Sequence, residues 1–210
     1  METPAPTCTL CPRLVAFREE NAAKFPDWHN APVASFGDDD AALLIVGLAP
    51  GLRGANRTGR PFTGDWAGQL LYPTLLKFGL ATGPYDERPD DGMTLVNARI
   101  TNAVRCVPPQ NKPTGAEAKA CRPFLASEIA GMTNLKGILA LGRVAHEAVL
   151  TTLGEKRSSF KFAHGAVHVL GNGLWLADSY HCSRYNTNTG RLTTEMFEDV
   201  VGAAAARVKG

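Results

Sequence analysis

A chain of 210 residues, 44% hydrophobic and 20% charged, is long enough to bury one sizeable core, so a single globular domain spanning 1–210 is expected. The net charge of +2 neither demands nor opposes a polyanionic partner. No apolar run reaches membrane-span length, and METPAPTCTLCPR lacks the apolar core of a secretory signal, so a cytoplasmic protein with no membrane partner is the expectation. In that reducing setting the five cysteines are thiols, metal ligands or catalytic groups rather than disulfides.

Residues 1–7 are expected to form a frayed tail. An amphipathic stretch from Leu14 to about Lys24 predicts a helix, and residues 26–40 are polar, ending in the solvated triplet Asp38-Asp39-Asp40. Ala41–Val46 is an unbroken apolar run of strand length. It enters a loop with five glycines (Gly47, Gly51, Gly54, Gly59, Gly64) and two prolines. A helix follows Gly64, which Pro73 is expected to kink or divide. Residues 81–92 predict a loop, and Thr94–Asn102, rich in β-branched residues, a second strand. After the loop 103–113, Thr114-Gly115-Ala116-Glu117 fits a capping box that opens a helix to about Met132. Lys136–Leu141 predicts a third buried strand and Gly142–Leu150 a helix. Ala166–Leu170 and Leu174–Asp178 predict two further strands. A polar loop, 179–191, leads into a last helix, roughly Thr193–Val208.

Repeated strand, loop and helix with apolar strands predict a single-domain three-layer α/β/α fold around a mainly parallel central sheet. The loops 47–65, 102–113 and 179–191 then share one edge of the sheet, where such folds place ligands.

Cys8-x-x-Cys11 and the pair Cys106, Cys121 offer four thiolates from two segments. They can enclose a zinc ion or an iron–sulfur cluster, and spacing alone does not separate the two. Cys182 lies in another loop and is set apart. Asn102, ending a strand, offers a donor and an acceptor that suit the edge of a planar heterocycle, or a plain strand-end cap. His181 follows the last strand among hydroxyls and amides. Phe62 and Asp65 stand three residues apart in a loop. The ring suits a cleft wall, and the carboxylate suits a general base, a charge stabiliser or a helix cap. Arg184 and Tyr185 suit phosphate contacts, a wedge between bases, or exposed loop positions. His29, His146, His164 and His168 lack such a setting and are expected to be structural or exposed.

Taken together, the motifs resemble the uracil-DNA glycosylase superfamily, within it the iron–sulfur-containing families. Gly47-Leu48-Ala49-Pro50-Gly51 is similar to its first motif, and Gly59-Arg60-Pro61-Phe62-Thr63-Gly64 to its base-stacking segment. Ile100-Thr101-Asn102-Ala103-Val104-Arg105-Cys106-Val107-Pro108-Pro109-Gln110-Asn111 is similar to its base-reading strand running into the third cysteine, and His181-Cys182-Ser183-Arg184-Tyr185-Asn186 stands where its histidine motif does. Related families place an acidic or amide residue where this chain has Leu48. The Gly-Leu-Ala-Pro-Gly form and the insertion Gly54–Arg60 point to family 5, the B type.

The resemblance implies a monofunctional hydrolase that flips uracil, or another deaminated or damaged base, out of double-stranded DNA and leaves an abasic site. Phe62 would stack on the base, Asn102 would bond its polar edge, and Gly47, Ala49 and Gly51 would bring backbone amides to it. His181 would hydrogen-bond the base oxygen, Asp65 would serve the sugar cation or the water, and Asn186 would assist. Arg184 and Tyr185 would meet DNA. Cys8, Cys11, Cys106 and Cys121 would hold a structural 4Fe–4S cluster in a monomer. Two other classes are a non-catalytic damage-binding module, which Leu48 favours, and a nucleoside hydrolase of the same fold.

Overall fold

The apolar run that begins at Ala41 becomes the middle of a six-stranded sheet. A computed structural model describes residues 1–210. In chain order, α1 (Pro12–Lys24), β1 (Phe36–Gly37) and β2 (Leu43–Gly47) come first. α2 (Ala55–Thr58), α3 (Trp66–Lys77), β3 (Ala81–Thr82), β4 (Thr94–Leu95) and β5 (Ala98–Asn102) follow. Then come α4 (Gly115–Gly131), β6 (Gly137–Leu141), α5 (Arg143–Thr152), β7 (Val167–Val169) and β8 (Trp175–Ser179). α6 (Arg184–Asn188) and α7 (Thr194–Lys209) end the chain. The main sheet has the order β1-β5-β2-β6-β8-β7. Its four central strands run parallel, and β1 and β7 close the edges antiparallel. No helix is long and apolar enough to cross a membrane.

Successive strand side chains point to opposite faces, and β2 uses both. Leu43 and Ile45 pack with Leu71 and Leu75 of α3 and with Phe197 and Val201 of α7. Leu44 and Val46 pack with Leu125 and Ile129 of α4 and Val149 and Leu150 of α5. Every β2 residue is buried, so the sheet lies between two helical layers, the expected α/β/α order. Each fully buried Leu or Ile adds about 1.5–3 kcal/mol, which explains why an unbroken apolar run sits here. A third, smaller core joins Leu14 of α1, Val104 and Cys121 of α4. The capping box forms: Thr114 Oγ1 accepts from the Glu117 N–H, and the Thr114 N–H donates to Glu117 Oε2.

The structure departs from the sequence pattern in four places. α3 runs unbroken through Pro73. Pro73 is exposed, while Leu71, Tyr72, Thr74 and Leu75 around it are buried, and that packing keeps the helix from dividing there. The expected strand 94–102 divides at Val96-Asn97, because Asn97 adopts φ +51° and its Oδ1 accepts from the Ala42 N–H at 2.8 Å. β4 turns instead to β3, inside the stretch expected to be a loop. Residues 1–7, expected to fray, lie against α4, where the Glu2 N–H donates to Ser127 Oγ at 2.7 Å.

Candidate active site

Parallel pairing sets Gly47 opposite Asn102, so the loops after β2 and β5 leave the sheet at one level. With the loop after β8 they enclose a cavity of about 350 Å³, within the range of small-molecule sites. Phe62, Asp65, Asn102, His181, Ala49 and Gly51 all line it. A Cβ on Gly47 would press into Asn102 Oδ1 and lie 2.6 Å from Phe62 Cζ, so only glycine lets these side chains meet. Phe62 is buried at φ +54°, a conformation that costs a bulky residue about 1–3 kcal/mol. Its neighbours impose that geometry. Tyr72 Oη donates to the Pro61 carbonyl at 2.6 Å, and Tyr85 Oη to the Phe62 carbonyl at 3.4 Å. Arg60 forms a bidentate pair with Asp91, both bonds 2.7 Å, and its guanidinium lies over the rings of Phe36 and Tyr72. Hydrogen bonds from Arg60 hold the Asp91 carboxyl well below the usual carboxylate range.

Asp65 is the N-cap of α3. Its Oδ1 accepts from the Ala67 and Gly68 N–H groups at 3.1 and 3.3 Å. Its Oδ2 is aimed over the first motif, where a Cβ on Gly51 would lie 2.8 Å away and one on Gly54 would collide. Burial raises the Asp65 pKa, and the two backbone N–H bonds offset part of that rise. Burial pushes His181 down to about 4, so its imidazole is neutral at pH 7. The His181 ring lies 6.0 Å from that of Phe62, at 29°. Buried polar atoms are nearly always paired, yet Asn102 Oδ1 and His181 Nδ1 have no partner.

Arg184 also lines the cavity. Tyr185 does not: it stands 73% exposed on α6. Asn186 lies outside it too, its Nδ2 donating to the His181 carbonyl at 2.8 Å, which steadies the histidine segment. Trp66 lines the cavity without having been singled out from the sequence, and Asn111 and Ser183, named there only within longer motifs and given no role, line it too. Asn111 had a local signal, since Asn tolerates the positive φ (+55°) found there. Trp66 had none beyond being a large apolar residue directly after a cap. Of the four histidines set aside, His146 is buried in a network in which its Nδ1 meets Asp178 Oδ1 at 2.7 Å.

The uracil DNA glycosylase superfamily model matches residues 34–205. A Thermus thermophilus protein named type-5 uracil-DNA glycosylase is 48% identical over 200 residues, 92% of this chain and 90% of its own. One of that name from Pyrobaculum aerophilum is 41% identical over 203 residues, 95% and 88% of the two chains. One from Mycobacterium tuberculosis is 43% identical over 202 residues, 92% and 75%. The chain belongs to the uracil DNA glycosylase superfamily. Its relatives place it in the type-5 branch of that superfamily.

Four cysteines of this type-5 chain meet outside the cavity. Cys8, Cys11, Cys106 and Cys121 line one small apolar pocket with Leu14 and Phe124, and all are free thiols. Two donors point at the sulfurs: the Arg105 N–H reaches Cys121 Sγ at 3.3 Å, and Arg18 Nη1 reaches Cys106 Sγ at 3.8 Å. Burial raises the thiol pKa of Cys106 to about 11, as it also raises those of Cys11 and Cys121. Thiols buried in this way are little ionised by themselves, and the thiolate is the form that binds metals. Cys182 is buried elsewhere, in the core beneath the site.

Proposed function

We propose that this type-5 member hydrolyses the N-glycosidic bond of uracil, and of other deaminated or damaged bases, in double-stranded DNA and leaves an abasic site. One observation carries the reading: the unpartnered Asn102 Oδ1 and His181 Nδ1 stand beside the Phe62 ring and the Asp65 carboxylate at one sheet edge. That set supplies a stacking face, an amide to read a base edge, a neutral imidazole and an acid.

A glycosylase extrudes the nucleotide at a cost of a few kcal/mol. Phe62 stacks on the extruded base and Asn102 bonds its edge. As the bond breaks, charge develops on the departing base, and neutral His181 stabilises it by hydrogen bonding, a preorganised role. Asp65, anchored through Oδ1, keeps Oδ2 for the sugar cation or the water. No lysine lines the cavity, which favours simple hydrolysis over strand cleavage. Arg184 at the rim suits a phosphate, and exposed Tyr185 suits a contact with the duplex. A cavity of about 350 Å³ leaves room for bases larger than uracil.

The cysteine pocket fits a structural 4Fe–4S cluster held by Cys8, Cys11, Cys106 and Cys121. Four thiols from two segments in one apolar pocket suit zinc or a 4Fe–4S cluster by number, and the likeness to the type-5 relatives favours the cluster. The cluster would tie α1 to α4 and to the loop after β5.

The test is a duplex with one deoxyuridine, incubated with the purified protein and then cleaved with alkali. Strand breaks only after alkali are expected. No breaks above a mock control, with iron bound at about four atoms per chain, overturns the reading. A parallel hypoxanthine duplex tests base breadth, and a steep fall of binding with salt separates a DNA substrate from a free nucleoside.

A further inference from the structure

We infer that Trp66 is a positioning residue, a clasp that fixes the His181 segment to the helix carrying Asp65; this rests on the glycosylase reading above. α6 has five residues and buries none of them. A helix so short does not hold its own shape in water. Most of its bonds stay within its own segment: Ser183 caps it, Asn186 Nδ2 donates to the His181 carbonyl, and the Leu192 N–H donates to the Asn186 carbonyl. The hydrogen bond that reaches it from elsewhere in the chain comes from Trp66. The indole Nε1 donates to Thr187 Oγ1 at 2.8 Å, and the Arg184 guanidinium lies over the ring at 5.0 Å.

The placement has mechanistic consequence. Trp66 follows Asp65 directly, at the start of a helix whose Leu71, Tyr72 and Leu75 are fully buried. α3 is thus a fixed body, and the clasp hands its position on to α6, three residues beyond His181. Trp66 is 37% exposed, so its burial does not account for a tryptophan at this position. Trp66 and Arg184 both line the cavity, so the clasp also sets the width of its mouth. Asp65 and His181 come from segments more than a hundred residues apart, and a misplacement of about 1 Å between reacting groups costs on the order of a hundredfold.

Trp66→Phe keeps the ring beneath Arg184 and removes the N–H. Thr187→Val keeps the shape and removes the acceptor. Single-turnover excision from a deoxyuridine duplex is measured for both and for the double variant, with melting temperature and duplex affinity. Each single variant is expected to slow excision about five- to tenfold, the worth of one hydrogen bond. Melting temperature and affinity stay near wild type, and the double variant is no slower than the slower single. Wild-type rates in both, or a double loss equal to the product of the singles, overturns the clasp. A second readout is independent of excision. The emission component that Trp66→Phe removes is expected to shift red and quench more readily with acrylamide in Thr187→Val. Unchanged emission overturns the clasp, whereas an inactive wild type with the shift present overturns only the glycosylase reading.

Discussion

Asp91→Ala tests what keeps Phe62 in its strained conformation. Asp91 has a side chain with 0% exposure and Arg60 one with 5%, joined by two bonds of 2.7 Å. Asp91 also accepts from the Asp86 and Met93 N–H groups, at 3.0 and 3.1 Å. Removing one partner of a buried pair leaves the other charge unpaired, at about 3–5 kcal/mol. In a domain of this size that lowers the melting temperature by about 6–20 °C. The freed Arg60 no longer fixes Pro61-Phe62-Thr63, so deoxyuridine excision is expected to fall along with stability. The sign with pH is also set. The folded Asp91 pKa is depressed by Arg60, so its stabilisation is present above the unfolded value of about 3.9 and is lost as pH falls through the folded value. The gap between wild type and variant is therefore expected to be full at pH 7 and to shrink below about pH 4. Calorimetry from pH 7 to pH 3 measures both. A fall of less than about 3 °C at pH 7, or a gap that widens in acid, refutes the reasoning.

Three further outcomes are expected. Asp65→Asn keeps an oxygen for the Ala67 and Gly68 N–H groups, so it melts within a few degrees of wild type, binds duplex and loses most turnover; near-normal turnover assigns the acid elsewhere. Gly47→Ala forces a methyl between Asn102 and Phe62 and costs about 1–3 kcal/mol of overpacking; excision is expected to drop at least tenfold, and wild-type kinetics would contradict the geometry. His146 bonds Asp178 through Nδ1 and the Phe160 carbonyl through Nε2, at 2.7 and 3.0 Å. Its burial is outweighed by Asp178, and its pKa is raised, so the stabilisation is full below about pH 6.5 and lost as pH rises through the folded value; His146→Gln is expected to flatten that loss in pH-dependent melts.

What the sequence discloses follows from how local the physics is. β2 and β6 are buried on both faces, so their apolar runs announce them. β1 and β3 are two residues long and owe their existence to a neighbour, which no local pattern encodes. Pro73 does not divide α3, because it lies on the exposed side of a helix whose other side is buried, which the sequence does not show. In the site, Asn102 and His181 are visible because one ends β5 and the other closely follows β8, and Phe62 and Asp65 because an aromatic and an acid stand out in a glycine-rich loop. Trp66 resembles any helix residue until α6 comes into place beside it. Arg60 with Asp91, and His146 with Asp178, join positions 31 and 32 residues apart, and neither pair leaves a spacing signal.

The position of the acid ties these parts together. Leu48 lines the cavity without an ionisable group, so any carboxylate there must come from another part of the chain. Gly51 and Gly54 carry no side chain, and Asp65 Oδ2 fills the space a methyl would take at either. The glycines after β2 therefore serve less to cradle a phosphate than to admit a carboxylate from the start of α3. The cap bonds fix that carboxylate at Oδ1 and leave Oδ2 facing the loop. In the proposed reaction the acid has moved from the loop to the helix cap, and the cost of burying it is partly offset by the two N–H groups that any helix N-terminus has to spare. An alanine at Gly54 would then abolish excision as surely as Asp65→Asn, through a residue that touches no substrate. An active Gly54→Ala enzyme would show that Asp65 Oδ2 is not held where the reaction needs it.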